Sequence, residues 1–326
     1  MLKFGVLGAA AITPRALIFP CVDEPRAQIR VIAARDRERA QAMADWAGIR
    51  HVVDDYQAVI DHPDCNAIYI PLPITAHREW TLKALAAGKP VLCEKSMAAN
   101  AAEARDMADA ADAANLVLME AFHYRYHSVF LRAKEILAAG ELGPLSEIEA
   151  VFNIQGPPPE TDIRMLYAQG GGATMDLGCY PLSWCRHLLE AEPEVINATA
   201  IEGPPDVDLM LRAELVFPDG VTAVASSDMR AGTHFDMHFT VHGARGTLRV
   251  EQPLVPQIGH SIEVTIDGET RREVCDRRAT YGYQLDAFID AVDGGAALAT
   301  DGADAVRQMT LIDRCYTAAG MRLRGG

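Results

Sequence analysis

Short apolar runs alternate with amphipathic stretches over the first third of the chain, regularly enough to assign elements. Residues 3–8, 28–34, 51–53, 66–72, 91–93 and 116–121 are apolar runs of strand length, mostly bounded by Gly, Pro, Asn or charged residues. Between them, stretches near 14–22, 38–47, 56–61, 77–87 and 101–114 read as helices. Thr13-Pro14 opens the first, with threonine as the expected N-cap and proline at the first helical position, and Gly48 closes the second. Strands alternating with helices in this way predict a doubly wound parallel sheet of the Rossmann type.

From Phe122 the grammar changes. A helix over 129–139 leads to a strand over 145–154, a proline-rich loop, a glycine run at 170–172, and a helix carrying residues 184–189. Segments 195–200, 211–217, 221–225, 235–242, 247–250 and 262–266 then alternate with period two, separated by turns such as Pro218-Asp-Gly220 and Gly243-Ala-Arg-Gly246. Helices over 283–291 and 302–319 close the sequence. The expected fold class is therefore α/β. An N-terminal Rossmann domain over 1–122 is followed over 123–326 by an α+β domain with a large, mainly antiparallel sheet that binds substrate and joins subunits.

Composition narrows the function. A chain of 326 residues suits two cores rather than one. Its formal net charge of -15 is spread along the sequence, which argues against a nucleic-acid or anionic-membrane surface and for a small solute as ligand. Seven cysteines without a Cys-x-x-Cys pair read as reduced core thiols, and nothing in their spacing suggests a metal. No apolar run reaches the ~20 residues of a membrane span, and Met1-Leu-Lys-Phe runs straight into a strand, so a cytoplasmic protein is expected. A wide antiparallel sheet, if apolar on both faces, needs a second cover, hence an expected homodimer or homotetramer.

Candidate chemistry gathers where strands end. Gly8, Ala10, Ala11 and Ile12 lie between the first strand and its helix, where free amides and the helix dipole favour a pyrophosphate; alanine and Thr13 stand at two of the three fingerprint glycines. The second strand ends in Arg35 and Asp36. A cation there suits the 2′-phosphate of NADP(H), while Asp36 on a ribose hydroxyl keeps NAD(H) open. Pro71, Leu72 and His77 follow the fourth strand, and Glu94 and Lys95 follow the fifth, so they should flank a nicotinamide; His77 can equally be structural. Asp176 and Tyr180, after Gly170-Gly-Gly172, are four residues apart and share a helix face, unless Pro181 delays the helix start and leaves Asp176 on the approach. The glycines are expected to let backbone come close to a ligand. Moving hydride between a carbinol and a nicotinamide requires a proton donor or acceptor. Tyr180 takes that role, with the Lys95 ammonium favouring its phenolate and Asp176 accepting from a substrate hydroxyl. Phe122 and Arg125 are further candidates for substrate contact, and an apolar pocket around Trp184 and Phe122 would point to a non-sugar carbonyl or imine.

Gly5-Val-Leu-Gly-Ala-Ala10, Ala34-Arg-Asp36, Gly88-Lys-Pro-Val-Leu-Cys-Glu-Lys95, Met119-Glu-Ala-Phe-His-Tyr-Arg-Tyr-His127 and Gly170-Gly-Gly-Ala-Thr-Met-Asp-Leu-Gly-Cys-Tyr180 carry a resemblance. Together they resemble the glucose-fructose oxidoreductase / inositol dehydrogenase (Gfo/Idh/MocA) family over essentially the whole chain. The family's Glu-Lys-Pro motif falls on Glu94, Lys95 and Ser96, so its proline is replaced; its aspartate falls on Asp176 and its common histidine on Tyr180. Tyrosine there resembles the branch of glucose-fructose oxidoreductase, dimeric dihydrodiol dehydrogenases and NADP-dependent xylose dehydrogenases. That resemblance implies NADP and a sugar, polyol or cyclic diol, with a nucleotide-sensing regulator without turnover as the alternative.

Overall fold

The computed structural model describes residues 1–325. These form two compact units, and the chain passes between them more than once. The first unit comprises Met1–Ala98, Ala102–Tyr126 and Tyr281–Val306; the second comprises Ala99–Ala101, His127–Thr280 and 307–325.

The first unit is built on six strands: β1 (Leu2–Leu7), β2 (Ala27–Ala33), β3 (His51–Val52), β4 (Ala67–Ile70), β5 (Val91–Cys93) and β6 (Leu118–Glu120). All pair in parallel, in the order β3-β2-β1-β4-β5-β6. The order reverses direction at β1 and β4, which makes the crevice beyond their carboxyl ends the place where such a sheet binds ligands. Every residue of β4, β5 and β6 is buried, as expected of parallel strands covered on both faces. One cover comes from far along the chain. Helix Thr280–Gly294 sends Leu285, Phe288 and Ile289 into this core, with the Phe288 ring 5.7 Å from Phe4. A single boundary at 122/123 therefore does not describe how the chain divides.

The first helix departs from the expected one. Thr13 is already helical (φ -50, ψ -42) and makes no capping bond, and residues Pro14–Ile18 form a π turn before the α-helix Phe19–Asp23. Pro20 explains the wider turn. A proline inside a helix lacks the amide its i−4 carbonyl would accept and clashes with that carbonyl, and a π turn makes room.

The second unit holds eight strands: β7 (Leu145–Asn153), β8 (Glu194–Glu202), β9 (Asp208–Val216), β10 (Thr222–Asp228), β11 (Asp236–Gly243), β12 (Gly246–Glu251), β13 (Ser261–Ile266) and β14 (Glu269–Glu273). They follow the order β14-β13-β12-β11-β7-β10-β9-β8, antiparallel except for the parallel pair β7/β10. Strand β14 was not expected, because Glu-Thr-Arg-Arg-Glu has no apolar position and pairs only at the sheet edge. Its turn, Asp267-Gly268 with both residues at positive φ, is the hairpin signal that could have found it. One face of the sheet is covered by helices Ser128–Ala138 and Cys179–Leu189: Phe239 of β11 lies 6.2 Å from Phe130 and 5.8 Å from Trp184. Strand alternation puts Val151, Met210 and Val224 on the opposite face, mixed with Glu149, Arg212, His238 and Arg249.

Candidate active site

In the first unit, the carboxyl ends of β1, β2, β4 and β5 bring the expected cofactor residues to one edge of the sheet. Gly8 ends β1 at φ +115, a conformation an L side chain rarely adopts, and a Cβ there would stand 3.2 Å from Leu72. Ala10 and Ile12 are partly exposed and Ala11 is exposed, so the turn presents its backbone outward. Thr13 behind it is fully buried, and its Oγ1 has no hydrogen-bond partner. A buried hydroxyl without a partner is rare enough to require a reason, and a phosphate oxygen in the turn would supply one.

At the end of β2, Asp36 Oδ1 accepts from the amides of Glu38 (3.0 Å) and Arg39 (3.2 Å) and caps helix Arg37–Ala47. That leaves Arg35 exposed and without an ion pair to its neighbour. Arg39, which the sequence reading did not single out, reaches back to the β1 turn and donates to the carbonyl of Ala9 (2.9 Å). The signal was its position three residues after the cap, where a long cation can fold over the preceding loop.

Glu94 and Lys95 follow β5, Glu94 at 8 % exposure and Lys95 partly buried. The Tyr69 hydroxyl donates to Glu94 Oε1 (2.7 Å); burial, with the carboxylate beside it, pushes the phenol well above its usual range and keeps it a neutral donor. The Lys95–Ser96 peptide is cis. His77 is fully buried between two loops, with Nδ1 3.1 Å from the Ser96 carbonyl and Nε2 2.8 Å from the Leu72 carbonyl. Burial pushes its pKa down. The neutral ring has one N–H to donate, so one of the two carbonyls accepts from it; both polar edges face backbone, and His77 sits between the loop after β4 and the loop after β5 and presents no edge to a cofactor. Phe122 is also corrected: it has no exposed surface and packs edge-on against Tyr124 at 6.1 Å. Arg125, 9 % exposed, lies 3.5 Å from Asp304 in the same unit.

In the second unit, residues Thr174–Gly178 form a π turn that continues into helix Cys179–Leu189. As with Pro20, the wide turn precedes a proline, here Pro181. Asp176 therefore lies on the helix rather than on its approach, one turn before Tyr180. Tyr180 is 5 % exposed, its ring 5.9 Å from Phe152 and 6.4 Å from Trp184. Arg164 stands 3.7 Å from Asp176 and is held by Asp162 through two bonds of 2.9 Å. The paired carboxylates push the guanidinium upward. Asp162-x-Arg164 was a legible local pair; its proximity to Asp176 was not.

The glycine run has a different reason from the one expected. A Cβ on Gly172 (φ +137) would stand 2.1 Å from Asp208 Oδ1, and one on Gly171 2.6 Å from the Arg164 carbonyl. The close approach these glycines permit is to the protein's own interior.

The chain is similar to known proteins over nearly its whole length. Residues 2–122 match the model of an oxidoreductase family with an NAD-binding Rossmann fold, and residues 130–249 match the GFO/IDH/MocA C-terminal domain. The chain is 32 % identical over 320 residues to a D-xylose 1-dehydrogenase (NADP(+)) of Haloferax volcanii, covering 98 % of this chain and 97 % of that one. It is 33 % identical over 327 residues to a dTDP-3,4-didehydro-2,6-dideoxy-alpha-D-glucose 3-reductase of Streptomyces antibioticus, covering 98 % of each. A crystal structure of a 3-ketoreductase from Actinomadura kijaniata in complex with NADP and TDP-benzene superposes with a TM-score of 0.90 at 28 % identity, covering 97 % of each chain.

Proposed function

The chain belongs to the Gfo/Idh/MocA oxidoreductase family, and we propose that it is an NADP-dependent enzyme moving hydride between the nicotinamide and a carbinol or carbonyl carbon of a sugar-like substrate. The residues present suit the cofactor. The β1 turn, with Gly8 at positive φ and the partnerless Thr13 hydroxyl, would hold the pyrophosphate, and Arg35 would meet the 2′-phosphate. Pro71, Leu72 and Glu94 would border the nicotinamide. When bound, the cofactor gives or accepts the hydride.

The chain's own residues handle the proton. Tyr180 donates it to the substrate oxygen during reduction and takes it from the hydroxyl during oxidation. A phenol with its ordinary pKa of about 10 is a poor base at neutral pH, and the Lys95 ammonium favours the phenolate. Asp176 accepts from a neighbouring substrate hydroxyl, with Arg164 holding its carboxylate in place. The observation carrying this reading is the pairing of a buried phenol, flanked by Phe152 and Trp184, with a carboxylate one turn earlier on the same helix. The mixed open face of the eight-stranded sheet is read as the contact with a second copy of the chain, giving a homodimer measurable by light scattering. The free cysteines suit a reducing, cytoplasmic compartment.

The test is oxidation of D-xylose, D-glucose and trans-1,2-dihydrobenzene-1,2-diol with NADP+ and with NAD+. Turnover of at least one with NADP+ is expected, and Tyr180→Phe should lower kcat by about 10²-fold while leaving NADPH affinity nearly unchanged. Full activity of that variant would remove the proton-transfer role; tight NADPH binding without turnover of any sugar or diol would favour a nucleotide sensor.

A further inference from the structure

The second unit contains a fully buried ion pair, Arg324 with Asp208, both 0 % exposed and 2.6 Å apart. Its placement is specific. Asp208 begins β9, and each carboxylate oxygen is occupied: Oδ1 accepts from Arg324 Nη2 and from the Tyr316 hydroxyl (2.9 Å), and Oδ2 accepts from the Thr174 amide (2.7 Å) and Thr174 Oγ1 (2.6 Å). Arg324 uses the rest of its fork on backbone, donating from Nε to the Gly171 carbonyl (2.7 Å) and from Nη1 to the Arg322 carbonyl (2.9 Å). Its planar face lies 4.3 Å from the Tyr316 ring. Its own carbonyl accepts from Asn100 Nδ2 (2.9 Å).

Two of the groups held by this pair, Gly171 and Thr174, flank the start of the helix that carries Asp176 and Tyr180. Thr174 is the first residue of the π turn, so its amide has no partner within regular helix geometry; a carboxylate 34 residues away supplies one. Two residues later comes Asp176, and four after that Tyr180. Gly171, on the other side of the turn, is held by the guanidinium directly. Gly172 between them must lack a side chain, because a Cβ would meet Asp208 Oδ1 at 2.1 Å and Arg324 Nη2 at 2.7 Å. A planar fork with several donors can hold a carboxylate and a carbonyl together, which a lysine ammonium does less rigidly.

We propose that Arg324 is a positioning residue for the substrate side of the reaction: with Asp208 it clamps the 170–174 turn and thereby sets the start of the helix that carries Asp176 and Tyr180. The proposal rests on the catalytic assignment of those two residues. Removing the guanidinium leaves the Asp208 charge buried with one partner fewer, and the turn loosens where the proton-transfer group must be held to within a fraction of an ångström.

The experiment compares Arg324→Ala, Arg324→Lys and the milder Thr174→Ala, which deletes the hydroxyl bond to Asp208 but keeps the Thr174 amide bond to it, in the full chain. Hydrogen exchange, NADPH binding by fluorescence and steady-state oxidation of D-xylose with NADP+ are measured on each. For Arg324→Ala, amides of 171–176 should lose protection while the central strands β7 and β10 keep theirs. In the same variant kcat should fall by about tenfold to a hundredfold, NADPH affinity should stay within about twofold, and millimolar guanidinium should restore part of kcat. Arg324→Lys and Thr174→Ala should fall in between. Unchanged protection of 171–176 in a folded Arg324→Ala or Thr174→Ala protein would overturn the proposal, as would unchanged kcat in Arg324→Ala. Failure of the catalytic assignment is read separately, from an active Tyr180→Phe, which leaves the exchange result to stand or fall alone.

Discussion

Single residues decide cofactor choice, and one of them could be read in the sequence while its reason could not. Arg35 was visible as a cation at the end of a strand; that Asp36 is occupied in capping helix Arg37–Ala47 and so leaves Arg35 unpaired by it required coordinates. Arg35→Asp should weaken NADPH by about tenfold or more relative to NADH, in line with the ~1.5–3 kcal/mol typical of a hydrogen bond to a charged group; equal loss for both nucleotides in a binding titration would place the 2′-phosphate elsewhere. His77 and Phe122 show the opposite case. Their positions next to strand ends suggested ligand contact, but adjacency in sequence does not say which way a side chain points, and both point inward. His77→Leu removes the single imidazole N–H that faces the carbonyls of Leu72 and Ser96. Urea unfolding should show a loss of about 1–3 kcal/mol per the usual cost of buried polar groups left unpaired, together with weaker NADPH binding, since the two loops it ties follow β4 and β5. A variant as stable as the parent would mean those carbonyls find water instead.

At the scale of elements, strands that alternate and helices with glycine stops were legible because burial writes a period into the sequence. What stayed hidden were features that tertiary packing imposes: the two π turns ahead of Pro20 and Pro181, and the polar edge strand β14. Asp313, on helix Gly302–Ala318, is a further case. Its Oδ2 accepts from the Ala101 amide (2.9 Å), and burial pushes its pKa up to about 6, the hydrogen bond opposing this only in part. A folded pKa above the unfolded value of about 3.9 means that the group favours folding most fully below pH ~4 and loses that contribution as pH rises through about 6. Asp313→Asn keeps a carbonyl acceptor for Ala101 without the charge. It should therefore match the parent's melting temperature near pH 4, exceed it progressively up to about pH 6, and hold a constant advantage above that. An advantage independent of pH would show that packing, not ionisation, separates the two proteins.

For the whole molecule, the sequence announced two sheets of different kinds, because a parallel sheet needs crossover helices and an antiparallel one does not. It could not announce that helix Thr280–Gly294 returns to the first sheet's core, since nothing local distinguishes a helix that covers one sheet from a helix that covers another. Lys95 belongs to the first unit and Tyr180 to the second. If the ammonium acts by favouring the phenolate, the two residues form one functional group, and their removal cannot count twice. Lys95→Met and Tyr180→Phe should each lower kcat/KM by about 10²-fold, and the double variant should be no more than a few-fold worse than the poorer single one, as for residues that act as a unit. The pH profile adds a second check. Lys95→Met should move the base limb of xylose oxidation upward relative to the parent. Losses that multiply in the double variant, with a limb that does not move, would mean that the lysine only anchors substrate and that Tyr180 acquires its basicity from some other group.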